Sequence, residues 1–117
     1  MGTFVIAQRA SGVYKYEFVS RKGKPIFISN DFELRFECEE EIEALKSAID
    51  KCVFMRFKSS NGKYFFRLIL NEKEIAVSRR YSTQLLLQKG IDEIIKYADK
   101  AEFLDFSSAN DIFGSTE

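Results

Sequence analysis

The sequence predicts an α+β fold in which two tandem β-β-β-α-β repeats form one sheet with two helices on one face. The first observation is an internal repeat, because residues 4–57 can be laid over residues 54–106 at a spacing of 50, or 49 after the first hairpin. The second is a hydrophobic period that changes from about 2 to about 3.6 within each repeat. The third is that no linker separates the repeats, which indicates a single domain over residues 1–106.

The repeat is carried by residues that match at alternating strand positions and on one helix face. The identical pairs include Phe4/Phe54, Gly12/Gly62, Tyr14/Tyr64, Ser29/Ser78 and Ile42/Ile91. Because the matches follow the period of a strand and then of a helix, the repeat is structural.

Three strands open each repeat. A short strand leads to a turn ending in glycine, a longer strand alternates aromatic and polar residues, and a third follows a tight polar connection. The expected strands are 3–7, 13–20 and 26–29 in the first repeat and 53–58, 63–70 and 75–78 in the second. Pro25 stands at a strand start, where a missing N–H is tolerated.

A helix and a further strand complete each repeat. The apolar face of the first helix is expected to be Leu34, Cys38, Ile42, Leu45 and Ile49, and that of the second Leu87, Ile91, Ile94, Ile95 and Ala98. Ser82 is the expected N-cap of the second helix. The closing strands are 53–57 and 102–106, so the repeats span about 3–57 and 53–106 and share the strand 53–58. This shared strand predicts one fused sheet.

Composition excludes several functional classes. The chain has 117 residues, 45% of them hydrophobic, with 18 basic and 18 acidic residues and no histidine. The zero net charge disfavours a strongly basic nucleic-acid binder, and the lack of histidine removes the commonest general base and metal ligand. We therefore expect no catalytic residues, no cofactor and no metal, and hence no enzyme. No segment is long enough to span a membrane.

The two cysteines, Cys38 and Cys52, are expected to be buried free thiols, because one lies early in a helix and the other beyond its end. Sparse cysteines and the absence of a signal peptide indicate the cytoplasm.

Several motifs resemble those of the YegP-like family, small bacterial proteins of unknown function. They are the run NGKYFFRL at 61–68, an apolar strand ending in Ser78, Tyr81 three residues later, and Gly90-Ile91 in the helix. The resemblance covers about residues 3–106 and implies a single antiparallel sheet with exchanged C-terminal strands. The first repeat departs from the pattern, since Phe32 replaces the tyrosine and Glu41 the glycine.

Most polar candidates have a structural interpretation. Ser29 and Ser78 are expected to bond to backbone at the corner between strand and helix, with Phe32 and Tyr81 filling the same corner. The acidic cluster at 37–43 is interpreted as a solvated helix face, with a partner-binding patch as the alternative.

Three functional hypotheses remain open. The favoured one is a non-enzymatic interaction or self-association module with apolar residues on the second sheet face, and its surface would comprise Val13, Val19, Phe65, Arg67 and Ile69. An alternative is weak single-stranded nucleic-acid binding through Arg56, Lys58, Lys63, Phe65 and Arg67. A third is a small-ligand protein or enzyme with a pocket between helix and sheet near Ser78 and Tyr81.

A C-terminal tail at 107–117 is expected to be flexible, yet it contains the adjacent apolar residues Ile112 and Phe113. The second sheet face is expected to be covered either by this tail or, as we favour, by a second molecule or a partner protein.

Overall fold

The computed structural model describes residues 2–106, so the expectations about the tail, including Ile112 and Phe113, lie outside the described residues. Within this range seven strands form one sheet, and two helices each end in a short 3-10 turn. The strands are β1 Thr3–Gln8, β2 Tyr14–Val19, β3 Pro25–Ser29, β4 Val53–Lys58, β5 Tyr64–Leu70, β6 Lys73–Ser78 and β7 Glu102–Asp105. The helices are α1 Arg35–Ser47 and α2 Gln84–Tyr97.

The strand order is β4-β5-β6-β3-β2-β1-β7, so an antiparallel contact between β3 and β6 joins the two halves. The strand after each helix pairs with the other half, since β4 pairs with β5 and β7 with β1. The expectation of a purely antiparallel sheet is wrong, because β7 runs parallel to β1 and the sheet is mixed.

Two polar contacts join β7 to α1. The Asp105 carboxylate lies 2.7 Å from the Arg35 guanidinium at the start of α1. Lys46 near the end of α1 donates to the carbonyl of Ala101, which precedes β7, at 3.0 Å. Strand β7 therefore runs against the direction of α1.

Strand β4 lies at the free edge of the sheet. Its ladder partner is β5, and none of the other described strands pairs with it. The expectation that residues 53–58 serve both halves is corrected accordingly: β7 supplies the additional strand of the first half, and β4 belongs to the second.

The core lies between the two helices and one face of the sheet. Alternate strand residues are fully buried there, and they meet apolar helix residues such as Cys38, Ile42, Leu87 and Ile94. Two residues assigned to the apolar helix faces are instead about half exposed, Leu34 at 51% and Ile95 at 50%. Leu34 precedes α1, and Ile95 follows the buried Ile94 by one residue, which turns it away from the sheet.

The N-cap of α2 is Thr83 and not Ser82, because the helix begins at Gln84. The Thr83 hydroxyl accepts a hydrogen bond from the Leu86 N–H at 3.1 Å. At the start of α1 the side chain of Glu37 instead accepts from the Leu34 N–H at 3.1 Å. Both helices therefore satisfy an otherwise unpaired N–H with a side-chain oxygen.

A buried serine occupies the same corner in each half. Ser29 accepts from the Tyr16 N–H at 2.9 Å and donates to the Asn30 carbonyl, while Ser78 accepts from the Phe66 N–H at 2.9 Å and donates to the Arg79 carbonyl. Each hydroxyl thus satisfies a backbone N–H in the neighbouring strand at the point where β3 or β6 ends.

The aromatic residue at this corner determines which side chain fits at the facing position of the helix. Tyr81 bridges Tyr64 through two backbone hydrogen bonds, and its hydroxyl oxygen would lie 2.4 Å from a Cβ placed on Gly90. Phe32 bridges Tyr14 in the same way but has no hydroxyl, and there α1 carries Glu41. The two departures of the first half from the expected pattern are therefore one coupled change.

We expect Ser78→Ala to lower the free energy of unfolding by about 1–3 kcal/mol, because it leaves the buried Phe66 N–H without a partner. Ser60→Ala, in an exposed turn, should change it by less than about 0.5 kcal/mol. Urea unfolding measures both, and equal effects of the two substitutions would contradict this role for Ser78.

We expect Gly90→Ala to destabilise the protein, because the added methyl group would collide with the Tyr81 hydroxyl. The same change should cost less in a Tyr81→Phe background, with a coupling of about 0.5–3 kcal/mol. Thermal unfolding of the four members of this double-mutant cycle measures the coupling. Tyr97→Phe, which lies on the same helix, is the control and should give no rescue; strictly additive effects at 81 and 90 would refute the collision.

Candidate functional site

The face of the sheet opposite the helices, called here the open face, carries a continuous row of side chains across all seven strands. Register places one residue of each strand in this row. The alternation of burial in β1, β2 and β5 assigns the row to the open face, because directly paired residues point to the same face of a sheet. In sheet order the row is Met55, Arg67, Val77, Ile28, Glu17, Val5 and Leu104. Five of its members are apolar, and the two charged ones have opposite sign.

No described element covers this row. Met55 is 48% exposed, Val77 39% and Leu104 45%, and they lie at one edge, near the centre and at the other edge of the sheet. Val53, beside the row on β4, is 54% exposed. An apolar surface that extends across a whole sheet is typical of a protein-binding site.

An aromatic and guanidinium cluster lies next to the row, and we call it the Arg–Phe stack. It consists of Phe57, Phe65, Arg67 and Arg80. The two phenyl rings stack at 5.4 Å, with Arg67 5.1 Å from the Phe57 centroid and Arg80 4.8 Å from that of Phe65. Arg67 also pairs with Glu74 at 3.0 Å. This cluster is half exposed and presents two flat apolar rings, each of which is contacted by an arginine guanidinium.

The predicted partner surface is dispersed along the open face. Phe65 and Arg67 lie together in the Arg–Phe stack, and Ile69 is opposite Val53 on the neighbouring strand. Val19 lies on β2, three strands away from β5, and Val13 just precedes β2. The prediction omitted Met55 and Phe57, although the alternation of β4 was available as a signal for both.

The structure divides the predicted nucleic-acid contacts between the two faces of the sheet. Arg56 is hydrogen-bonded to Gln88 of α2, and the Lys58 ammonium lies 5.7 Å from the Tyr64 ring. Both therefore lie on the helix side, whereas Phe65 and Arg67 lie on the open face. Lys63 is exposed in the turn before β5. These five residues do not form one continuous groove.

A cleft of about 280 Å³ lies between α2 and the turn from β2 to β3. Its charged lining residues are Lys22, Lys24, Arg79, Lys89 and Glu93, and Tyr81 forms part of its wall. We call it the basic cleft. It lies close to the predicted pocket near Ser78 and Tyr81, but Ser78 itself bonds to backbone and does not line it.

The corresponding position in the first half is a cleft of about 490 Å³ with the opposite charge. This acidic cleft is lined by Phe32, Glu37, Glu40, Glu41 and a single cation, Lys73. Burial raises the pKa of Glu41, while a 2.5 Å hydrogen bond from the Tyr16 hydroxyl acts in the opposite direction. Part of the acidic cluster therefore packs against the core, whereas the exposed Glu40 and Glu43 are solvated.

The two thiols are free, with Cys38 buried and Cys52 half-buried. Burial raises the pKa of Cys38 to about 12 and that of Cys52 to about 11, so both are protonated and weakly nucleophilic at neutral pH. In residues 2–106 no cluster of three or more cysteine, aspartate or glutamate side chains has the arrangement of a metal site. Neither α1 nor α2 is long and apolar enough to cross a membrane.

Comparisons with known proteins agree with this architecture. Residues 59–105 match the family model described as a domain of unknown function, DUF1508. Over 106 residues the chain is 24% identical to the UPF0339 protein in the ptx operon 5' region of Stutzerimonas stutzeri, covering 89% of this chain and 96% of that protein.

Two solved structures have the same fold. The first is the protein of unknown function yegP from E. coli, with a TM-score of 0.81, 19% identity and coverage of 91% of this chain and 93% of that one. The second is UPF0339 protein SO3888 from Shewanella oneidensis, with a TM-score of 0.82, 17% identity and coverage of 92% of both chains. The family model, the curated relative and these structures agree with the resemblance seen in the sequence: the chain is similar to YegP-like proteins of unknown function and has the same fold as two of them.

Proposed function

We propose that this protein is a non-enzymatic interaction module and that its open face binds a second copy of the chain. The observation that carries the proposal is the row from Met55 to Leu104, which is mostly apolar, partly exposed and self-complementary from Met55 to Val5. Counted outwards from the centre of the sheet, the row begins with the apolar pair Val77 and Ile28. The oppositely charged pair Arg67 and Glu17 comes next, and the apolar pair Met55 and Val5 follows it.

Face-to-face packing about a two-fold axis parallel to the strands would bring complementary groups together. Such an axis, placed over the contact between β3 and β6, sets six of the seven residues of the row opposite a mirror position in the other copy, and Leu104 on the outer strand β7 has none. Arg67 would then face Glu17 of the second copy, Val77 would face Ile28, and Met55 would face Val5. Two sheets packed in this way are a common arrangement, with a spacing of about 10 Å.

The expected dimer is weak. Six strand spacings of about 4.8 Å and strands of about 20 Å give a face on the order of 600 Å² per copy. Stable interfaces bury about 800 Å² per partner, so association in the micromolar to millimolar range is expected. The Arg–Phe stack at the edge of this face would add apolar area if its rings packed against the second copy.

The proposal includes an origin for the two halves as tandem copies of one unit. The paired serine corners, the matching bridges at Phe32 and Tyr81 and the two equivalent clefts support it. The free thiols support residence in a reducing compartment, as expected for the cytoplasm.

Charge reversal tests the self-association. We expect Glu17→Lys and Arg67→Glu each to weaken the dimer by at least tenfold, because each places like charges opposite one another. The double variant E17K/R67E restores opposite charges and should recover much of the lost affinity. Sedimentation velocity from micromolar to near-millimolar protein measures the dissociation constant.

Asp50→Lys is the matched control, since it reverses an exposed charge outside the sheet and should leave the dimer unchanged. Because Arg67 also pairs with Glu74, circular dichroism must show that each variant stays folded. A wild-type protein that remains monomeric across the whole range would overturn the proposal, as would equal weakening by D50K.

A further inference from the structure

The basic cleft contains an unusual concentration of unpaired positive charge. Four cations and one acid line it, which gives a net charge of +3. None of Lys22, Lys24, Arg79 or Lys89 forms a salt bridge with a residue in the described part of the chain. Gathering like charges around one concave surface raises the free energy of the empty protein, and an anion would relieve this repulsion.

A hydroxyl donor lies in the same cleft. The hydroxyl of Tyr81 makes no hydrogen bond to any residue among 2–106, and Arg79 lies 5.3 Å from its ring centroid. Burial raises the pKa of Tyr81, so the phenol keeps its proton and can donate it to an acceptor. The cleft therefore combines ammonium, guanidinium and hydroxyl donors.

The other half shows that the fold does not require this charge. The acidic cleft occupies the corresponding place with three glutamates and one lysine. There Glu37 accepts from the Leu34 N–H and Glu41 from Tyr16, so its acids serve the helix end and the core. Within residues 2–106 none of the four cations of the basic cleft forms a salt bridge or a hydrogen bond through its side chain, although Arg79 lies over the Tyr81 ring.

We propose that the basic cleft binds a small phosphorylated molecule, with the phosphate held by the four cations of the cleft, Lys89 included, and by the Tyr81 hydroxyl. A phosphate monoester carries close to two negative charges at neutral pH and matches the positive surplus better than a carboxylate does. An adjoining cleft of about 350 Å³ shares Ser20, Lys22 and Glu93 with the first and adds Tyr97, which offers a ring for the rest of the molecule. This site is separate from the open face.

Isothermal titration calorimetry with pyrophosphate and with adenosine monophosphate tests the proposal at low salt. We expect both probes to bind and the affinity to fall as salt rises. Lys89→Gln should weaken binding about fivefold or more. Glu93→Gln should strengthen it, because the only acid of the cleft is neutralised.

Lys51→Gln is the control, since it removes an exposed lysine after α1 and should leave the affinity unchanged. No binding of either probe at millimolar concentration would overturn the proposal, as would equal weakening by K51Q and K89Q. Binding of single-stranded oligonucleotides alone would also overturn it, in favour of a nucleic-acid surface.

Discussion

The antiparallel contact between β3 and β6 is the constraint on which the rest of the molecule depends. It consists of three residue pairs, Phe27 with Ser78, Ile28 with Val77 and Ser29 with Ala76. These pairs join the three strands β4-β5-β6 to the four strands β3-β2-β1-β7 in one sheet. The buried serines within these pairs satisfy backbone N–H groups of the flanking strands. Because the contact is short, the loss of a single hydrogen bond there would affect the whole sheet. The open-face row is also continuous only because this contact exists.

Much of the fold could be predicted from the sequence because it is local. Alternation located the strands to within a residue or two, and the change of period located both helices. The direction of β7 could not be predicted, since β7 pairs with β1 and contacts α1, and both are distant from it in the chain. Propensity carries no information about such long-range geometry.

The candidate surface was predicted in part, and the reason for the omission is specific. Residues 53–58 were assigned to a strand shared by the two repeats, and the only residues of that strand named as candidate contacts were Arg56 and Lys58, for nucleic acid. In the structure Met55 and Phe57 lie on the open face of β4 and are exposed beside the predicted Phe65 and Arg67. The face to which a strand residue points therefore decides whether it joins the core or the exposed surface, because Val77 near the centre of the sheet is exposed on the same face.

The two halves show how one scaffold can support different chemistry. At the corner of the second half, Tyr81 faces Gly90. The first half has Phe32 and Glu41 at the corresponding positions, and there the hydroxyl of Tyr16 donates to Glu41. One cleft is basic and the other acidic, and their charged lining residues account for the difference.

The pairing of β1 with β7 has a consequence for the order in which the protein folds. Thr3 lies opposite Glu102, so the first strand meets its outer neighbour only after nearly the whole domain has left the ribosome. During synthesis the first three strands and α1 can assemble, but the outer edge of β1 remains open. Closure of this edge is a long-range event with a high loop entropy, and it should be among the last steps of folding. Until β7 forms, a nascent chain would therefore expose the unpaired backbone N–H and C=O groups of the β1 edge, which β7 covers in the folded protein.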